Sequence, residues 1–221
     1  MYYLNLIMKE NLGHLRKSYQ KSSLELSDVG TSPLELFQKW FEMAKMDPAV
    51  EEVNAMSLAT LGTDGFPKSR IVLLKSFSAE GFVFFTNYDS EKGLAIAQHP
   101  QVGLTFFWPS LERQVIIKGR ASKIATEESD TYFQSRPKGS QLGALVSKQS
   151  QEIPNRAVLD EALKRLEKQY EALPISRPQN WGGYMIAPRS IEFWQGRPNR
   201  LHDRILARWD GEQWNSVRLS P

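Results

Sequence analysis

From Ala55 to Leu219 the chain is built from short apolar runs bounded by turn residues, with helical stretches between them and no strand–helix–strand rhythm. Seven or eight such strands predict an antiparallel sheet closed towards a barrel, with the helices packed outside it. The fold class is therefore β-rich α+β. At 221 residues there is room for one sizeable domain, and two would be tight. The 41% hydrophobic and 11% aromatic content suffices for a packed core.

The elements follow from local chemistry. Residues 1–30 are mixed and polar, with the dense cluster His14-Leu15-Arg16-Lys17-Ser18-Tyr19, and are expected to form a loosely held arm before a single domain over 31–221. Ser32, Pro33 and Glu35 predict a capping box at the start of a helix whose apolar face is Leu36, Phe37, Trp40, Phe41 and Ala44. Ala55–Leu61 and Lys68–Phe77 flank a Gly62-Thr63-Asp64-Gly65 turn as a hairpin. Within its second arm Ile71-Val72-Leu73-Leu74 is apolar on both faces, which predicts a central strand. Phe82–Thr86 follows as a strand and Ser90–His99 as a short helix stopped by Pro100. Val102–Trp108 and Arg113–Ala125 make another hairpin, and Thr126 is expected to cap a helix ending near Arg136, before Pro137. Pro154 is expected to open the longest helix, whose stripe of Leu159, Leu163, Leu166, Tyr170 and Leu173 reads as core packing or a dimer contact, core packing being favoured. Residues 182–219 return to strands.

Several chemistries drop out. Without Cys there is no disulfide, thiolate nucleophile or Cys-metal site, which fits a reducing cytoplasm. His14, His99 and His202 have no metal-ligand spacing. His202-Asp203 would point to opposite faces of a strand, and no Gly-x-Ser-x-Gly elbow exists for a hydrolase triad. No dinucleotide fingerprint or Walker loop is present. Met1–Met8 is apolar but short and runs into Lys9-Glu10, a poor signal peptide, and no run approaches a membrane span. A net charge of +3, with acids interspersed, hints at anionic ligands and does not demand nucleic acid.

Three groupings could carry function. In Glu192-Phe193-Trp194-Gln195-Gly196-Arg197-Pro198-Asn199-Arg200-Leu201-His202-Asp203-Arg204, a strand–turn–strand reading puts Arg200, His202 and Arg204 on one face, with Leu201 and Ile205 on the other. On spacing alone a solvated basic edge strand is the favoured reading. Arg70, Lys75, Thr86, Ser90 and Lys92 crowd one strand-plus-helix segment, where the first helical turn offers N–H groups to a phosphate. Tyr132 and Arg136 share a helix face, with Ser140 just beyond the proline break; a phosphate monoester fits them, and so does a surface Tyr–Arg stack.

The pattern Glu-Phe-Trp-Gln-Gly followed by Arg-Leu-His-Asp-Arg resembles the C-terminal signature of the pyridoxamine/pyridoxine 5′-phosphate oxidases. Arg70-Ile71-Val72-Leu73-Leu74-Lys75, Phe84-Phe85-Thr86-Asn87, Leu111-Glu112-Arg113-Gln114-Val115 and Val146-Ser147-Lys148-Gln149-Ser150 resemble further segments of that family, in the same order. The resemblance runs from about residue 14 to Pro221. It implies an FMN-binding split β-barrel of Greek-key type, a homodimer with FMN at its interface, and oxidation of pyridoxamine or pyridoxine 5′-phosphate to pyridoxal 5′-phosphate with O2 as acceptor. Carried over position by position, it implies FMN contacts at Arg70, Ile71, Val72, Leu73, Leu74, Lys75, Phe85, Thr86, Glu91, Lys92, Gln114, Gln149, Ser150, Trp194 and Arg204. It implies substrate contacts at Lys75, Tyr132, Arg136, Ser140, Arg200 and His202, with Arg16 and Tyr19 closing over the substrate, and Arg200 and His202 acting in catalysis. One departure is Ser90-Glu91-Lys92, where the family usually carries Ser-Arg-Lys. A split-barrel flavoprotein with another substrate, such as a flavin reductase, and a non-catalytic module binding pyridoxal phosphate or nucleic acid remain alternative readings.

Overall fold

The computed structural model describes residues 10–221; Met1–Met8 and the start of the arm lie outside the described residues. Among the described residues nine strands form one antiparallel sheet that curls around helix α1 (Pro33–Met46). The strands are β1 (Ala55–Leu61), β2 (Pro67–Leu73), β3 (Ser76–Ser78), β4 (Gly81–Asn87), β5 (Gln101–Trp108), β6 (Arg113–Lys123), β7 (Trp181–Gln195), β8 (Asp203–Trp209) and β9 (Trp214–Leu219). Between them lie α2 (Glu91–Gln98), α3 (Thr126–Ser135), α4 (Lys138–Val146) and α5 (Ala157–Gln169). The spatial order is β2-β1-β5-β6-β7-β4-β3, with β8 and then β9 added beyond β7. The 15-residue β7 is the spine. One of its edges pairs with β6 along its length; the other pairs with β4 near Trp181–Ile186 and with β8 over Ser190–Gln195.

Alternation along the strands builds the core. Met56 and Leu58, Leu104 and Phe106, Val115 and Ile117, and Phe193 and Ile205 all turn inward and are buried. The helical spacing of Leu36, Phe37, Trp40 and Ala44 presents one apolar face to them. Phe37 sits at the centre, edge-on to Phe77, Phe82 and Phe106 with ring centroids 5.0–5.2 Å apart. Burying each such ring contributes about 1.5–3 kcal/mol before packing geometry is counted. A second cluster, Phe133, Leu142, Ile175 and Trp181, fills the space beneath α3, α4 and α5.

Several expectations change. Ser32 makes no side-chain cap; the Glu35 N–H donates to the Ser32 backbone carbonyl instead, at 3.1 Å. Ala125, not Thr126, precedes α3, because the Ser129 N–H already reaches the Ala125 carbonyl. Helix α5 starts at Ala157 rather than at Pro154, and at 13 residues it is shorter than the 14-residue α1. Its Leu163 and Leu166 pack against the second cluster only partly buried. Strand β2 is an edge, not a centre: Leu74 turns into the core, whereas Ile71 is 65% exposed. The arm is tied down from Gln20 onward, with Leu24 and Val29 buried in the main core.

Candidate active site

The apolar run of β2 has a different use from core packing. Ile71, Val72 and Leu73 line one wall of a cavity of about 680 Å³, with Lys75 at the end of that wall. Phe85 and Thr86 of β4 form the floor, and Tyr132, Arg136 and Ser140 come from α3 and α4. Phe85 and Tyr132 stack with centroids 3.8 Å apart, and Trp181 lies parallel beyond them, 5.5 Å from Phe85. Gly183, opposite Phe85 across the strand pair, leaves that ring its place: a Cβ there would sit 3.0 Å from Phe85 Cε1.

Cations gather at two ends of this cavity. At one, Lys92 Nζ is 3.0 Å from Gln149 Oε1, which also accepts from the Thr86 hydroxyl at 3.3 Å. Arg70 stands nearby, donating to Thr60 Oγ1 at 2.7 Å and to the Leu58 carbonyl at 3.2 Å. Burial, and then the neighbouring Arg70, draw the Lys92 ammonium below its ordinary pKa, with Glu91 opposing. At the other end, the Arg136 guanidinium lies 4.5 Å over the Trp181 ring, and burial pulls its pKa down. Among the described residues its buried Nη1 has no hydrogen-bond partner. Such a donor is costly unless an acceptor arrives, and a guanidinium stays charged even when buried. Two separated cationic ends joined by an apolar wall fit the phosphates of two ligands, or of one ligand and a cofactor.

A second grouping lies at the far end of β7. The register places Gln114, Trp194 and Arg204 side by side across β6, β7 and β8. Arg204 is held by Glu192 at 2.8 Å. Trp194 and His202 are 4.6 Å apart between ring centroids, and Tyr19 closes edge-on against both. His202 Nδ1 accepts the Arg197 N–H at 3.1 Å, so the imidazole is fixed by its own turn. The shared strand face expected for Arg200, His202 and Arg204 is not formed. Strand β8 begins only at Asp203, and Pro198–Arg200 is a 3-10 turn with Asn199 and Arg200 at φ of 57° and 63°. Leu201 is accordingly exposed, whereas Ile205 is buried.

Other expected residues stand apart. Leu74 belongs to the core, and exposed Ser150 has a positive φ of 75°. Glu91 points to Lys68 on the surface, and Arg16 Nε donates to the Gly13 carbonyl. The cavity also takes in Asn87, Gly143, Ala144, Ser147 and Trp181, none of them singled out from the sequence. Ser140, Gly143, Ala144 and Ser147 recur at three- and four-residue steps, a small-residue helix face that could have marked the wall. Among the described residues no group of His, Cys, Asp and Glu could hold a metal, and no helix is long and apolar enough to cross a membrane.

Comparison with known proteins joins these observations. The family described as pyridoxamine 5′-phosphate oxidase matches residues 43–170, and its C-terminal dimerisation region matches residues 181–221. The pyridoxine/pyridoxamine 5′-phosphate oxidase of Flavobacterium psychrophilum is 54% identical over 96% of this chain and 100% of its own length. That of Flavobacterium johnsoniae is 55% identical over 95% and 99%. Among solved structures, PhzG from Burkholderia lata 383, in complex with tetrahydrophenazine-1-carboxylic acid, superposes with a TM-score of 0.85 at 27% identity, over 93% of this chain and 100% of that one. A pyridoxamine 5′-phosphate oxidase-related FMN-binding protein from Nostoc punctiforme shares the fold at a TM-score of 0.66 and 16% identity, over 87% and 100%. With matches that span almost the whole chain, and a split barrel beneath them, this protein belongs to the pyridoxamine 5′-phosphate oxidase family of oxidoreductases.

Proposed function

We propose that the protein oxidises pyridoxamine 5′-phosphate and pyridoxine 5′-phosphate to pyridoxal 5′-phosphate, with FMN as its cofactor. The observation that carries the substrate class is the buried Nη1 of Arg136, without a hydrogen-bond partner among the described residues, in a cavity that Tyr132, Lys75 and Ser140 also line. A phosphate monoester supplies the missing acceptor and offsets the cost of burying that charge. Arg70, Thr86, Lys92 and Gln149 form a second anion-binding end suited to the FMN phosphate, and the Ile71–Leu73 wall suits an apolar ring edge. FMN held there would supply the two-electron redox chemistry between the carbon that carries the amine or alcohol and O2, with H2O2 as the reduced product. Alcohol and O2 thus give aldehyde and H2O2; the amine also consumes one water and releases ammonia.

The protein's share is grip and alignment. Lys75, Tyr132, Arg136 and Ser140 hold the substrate phosphate, while Arg200 and His202 steady the pyridine ring. Gln114, Trp194 and Arg204 face the flavin from the second grouping, with Gln149 and Ser150 from the loop after α4. Trp181 and Trp194 sit near opposite ends of β7, roughly 40 Å of extended strand apart. That separation along the strand supports a reading in which the two groupings of a single chain serve different sites. A homodimer in which the cavity of one protomer faces the Trp194–His202 grouping of its partner completes two sites. The dimerisation region matched over residues 181–221 and the exposed Ile71 at the cavity wall support that arrangement.

The test is direct. Purified protein should be yellow and release FMN, identified by mass, and pyridoxamine 5′-phosphate should drive oxygen uptake with formation of pyridoxal 5′-phosphate. Bound flavin without turnover of either phosphate would leave only the fold and the cofactor standing.

A further inference from the structure

Glu112 is buried to 2% exposure at the turn between β5 and β6, and the FMN and substrate contacts above leave it without a task. Its Oε2 accepts two hydrogen bonds, from the backbone N–H groups of Gln20 at 2.8 Å and Lys21 at 3.0 Å. Its Oε1 lies 3.8 Å from Lys17 Nζ. A carboxylate receiving two backbone amides is a strong acceptor, and here both donors belong to a segment more than ninety residues away in sequence. The Glu112 backbone is itself clamped. It adopts a left-handed φ of 57°, and its carbonyl accepts from Gly196 N–H at 2.8 Å and from Gln195 Nε2 at 3.2 Å. A non-glycine residue held there carries a small conformational cost, of the kind met where surrounding structure fixes a side chain's aim.

We propose that Glu112 is a latch: it holds the strap of residues 17–21 across the end of β7 and so stations Tyr19 against Trp194 and His202. Three observations converge on this. Tyr19 lies immediately before the two latched amides and packs edge-on against both rings. Gly196 clears its seat, because a Cβ there would fall 2.6 Å from Tyr19 Cγ. The other ties on this stretch lie further along the chain: Arg197 Nη1 donates to the Ser22 carbonyl, and Asp203 Oδ2 accepts the Leu24 N–H. Glu112 is therefore the anchor nearest Tyr19 among the described residues. It is not among the cofactor and substrate contacts proposed above and acts through the strap, as a positioning residue. Its importance for catalysis rests on the reading above that the Trp194–His202 grouping meets the substrate.

The experiment is limited trypsin digestion of the full-length, FMN-loaded protein, read at Arg16, Lys17 and Lys21, alongside steady-state kinetics. Cleavage follows the population of the open strap when opening is fast. Glu112→Ala should speed cleavage at these sites by roughly ten-fold or more, as expected for losing a charge-assisted pair of hydrogen bonds. Glu112→Gln keeps the volume and one oxygen able to accept both amides, so its cleavage rate should fall between wild type and Ala. This graded order guards against a variant that merely misfolds. KM for pyridoxamine 5′-phosphate should rise in the same order, with FMN retained. In a Tyr19→Ala background, Glu112→Gln should add nothing further to KM. Unchanged cleavage in both variants overturns the latch, as does a KM effect that adds fully to that of Tyr19→Ala. Faster strap cleavage with no change in KM in any of these variants leaves the latch standing and removes the Trp194–His202 grouping from the substrate site instead.

Discussion

Lys68 and Glu91 clasp each other on the protein surface, the ammonium 2.6 Å from one carboxylate oxygen and 2.8 Å from the other. Both side chains are about half exposed, so the pair itself contributes little to stability. Its effect is directional. It holds Glu91, at the first position of α2, away from the cavity that Lys92 lines.

Glu91→Arg should therefore tighten FMN only modestly, by about 0.3–1 kcal/mol at low salt, with the gain shrinking as ionic strength rises. Flavin titration of the apo-protein at two salt concentrations measures it. A much larger gain would mean that Glu91 leaves Lys68 and opposes the phosphate at close range; no gain would put position 91 outside the site.

Arg136→Ala removes the guanidinium, with its buried Nη1, that lies over Trp181. KM for pyridoxamine 5′-phosphate should rise roughly 10- to 150-fold, the equivalent of about 1.5–3 kcal/mol, while FMN affinity changes far less. Arg136→Lys should recover little, since an ammonium cannot both stack on the indole and present a planar fork. A variant with unchanged KM would reduce Arg136 to a packing residue.

His202 gives the site a pH dependence. Burial first, and then the Arg200 charge, hold its pKa below the ordinary imidazole value, with Asp203 opposing. The neutral ring is the form that accepts the Arg197 N–H, and protonation cancels that bond. Because the folded pKa is the lower one, this contribution is complete above the unfolded value of about 6.5 and is lost as pH falls towards the folded pKa. Arg200→Ala should raise the His202 pKa, followed by the NMR titration of its ring protons, and should move the acid limb of kcat/KM to higher pH. The double replacement of Arg200 and His202 by Ala should leave a yellow dimer with little activity. A titration curve that ignores Arg200 would separate the two residues.

Gly196→Ala should unseat Tyr19 without touching the cavity. The added methyl would meet the Tyr19 ring and its Cβ, at 2.6 and 2.8 Å. KM should rise and the Trp194 fluorescence should change, whereas the flavin stays bound. Loss of flavin instead would mean that the change had spread along β7.

Legibility in the sequence followed the range of the interactions. The limits of β1, β4, β5 and β6 depend on neighbours a few residues away, and local patterning finds them to within about two residues, whereas the expected Lys68–Phe77 strand is split into β2 and β3. Ile71–Leu73 misled because a wall facing a cavity and a strand buried on both sides have the same apolar run. Arg200 and His202 misled because alternation holds only inside a strand, and two successive positive-φ residues, Asn199 and Arg200, break it. Trp181 joins the Phe85–Tyr132 stack from nearly fifty positions beyond Tyr132, and Glu112 finds its amides at Gln20 and Lys21; nothing local announces either.

The span of β7 has a consequence for handling the protein. If each protomer offers half of two sites, then flavin, substrate and partner chain bind as one linked equilibrium, and dilution acts on all three. Colour should fade and thermal stability fall as the protein is diluted through its dimer dissociation constant, even with the flavin-to-protein ratio kept at one. Added FMN should pull the chains back together, so that the cofactor behaves as a clamp between subunits as much as a reagent within one.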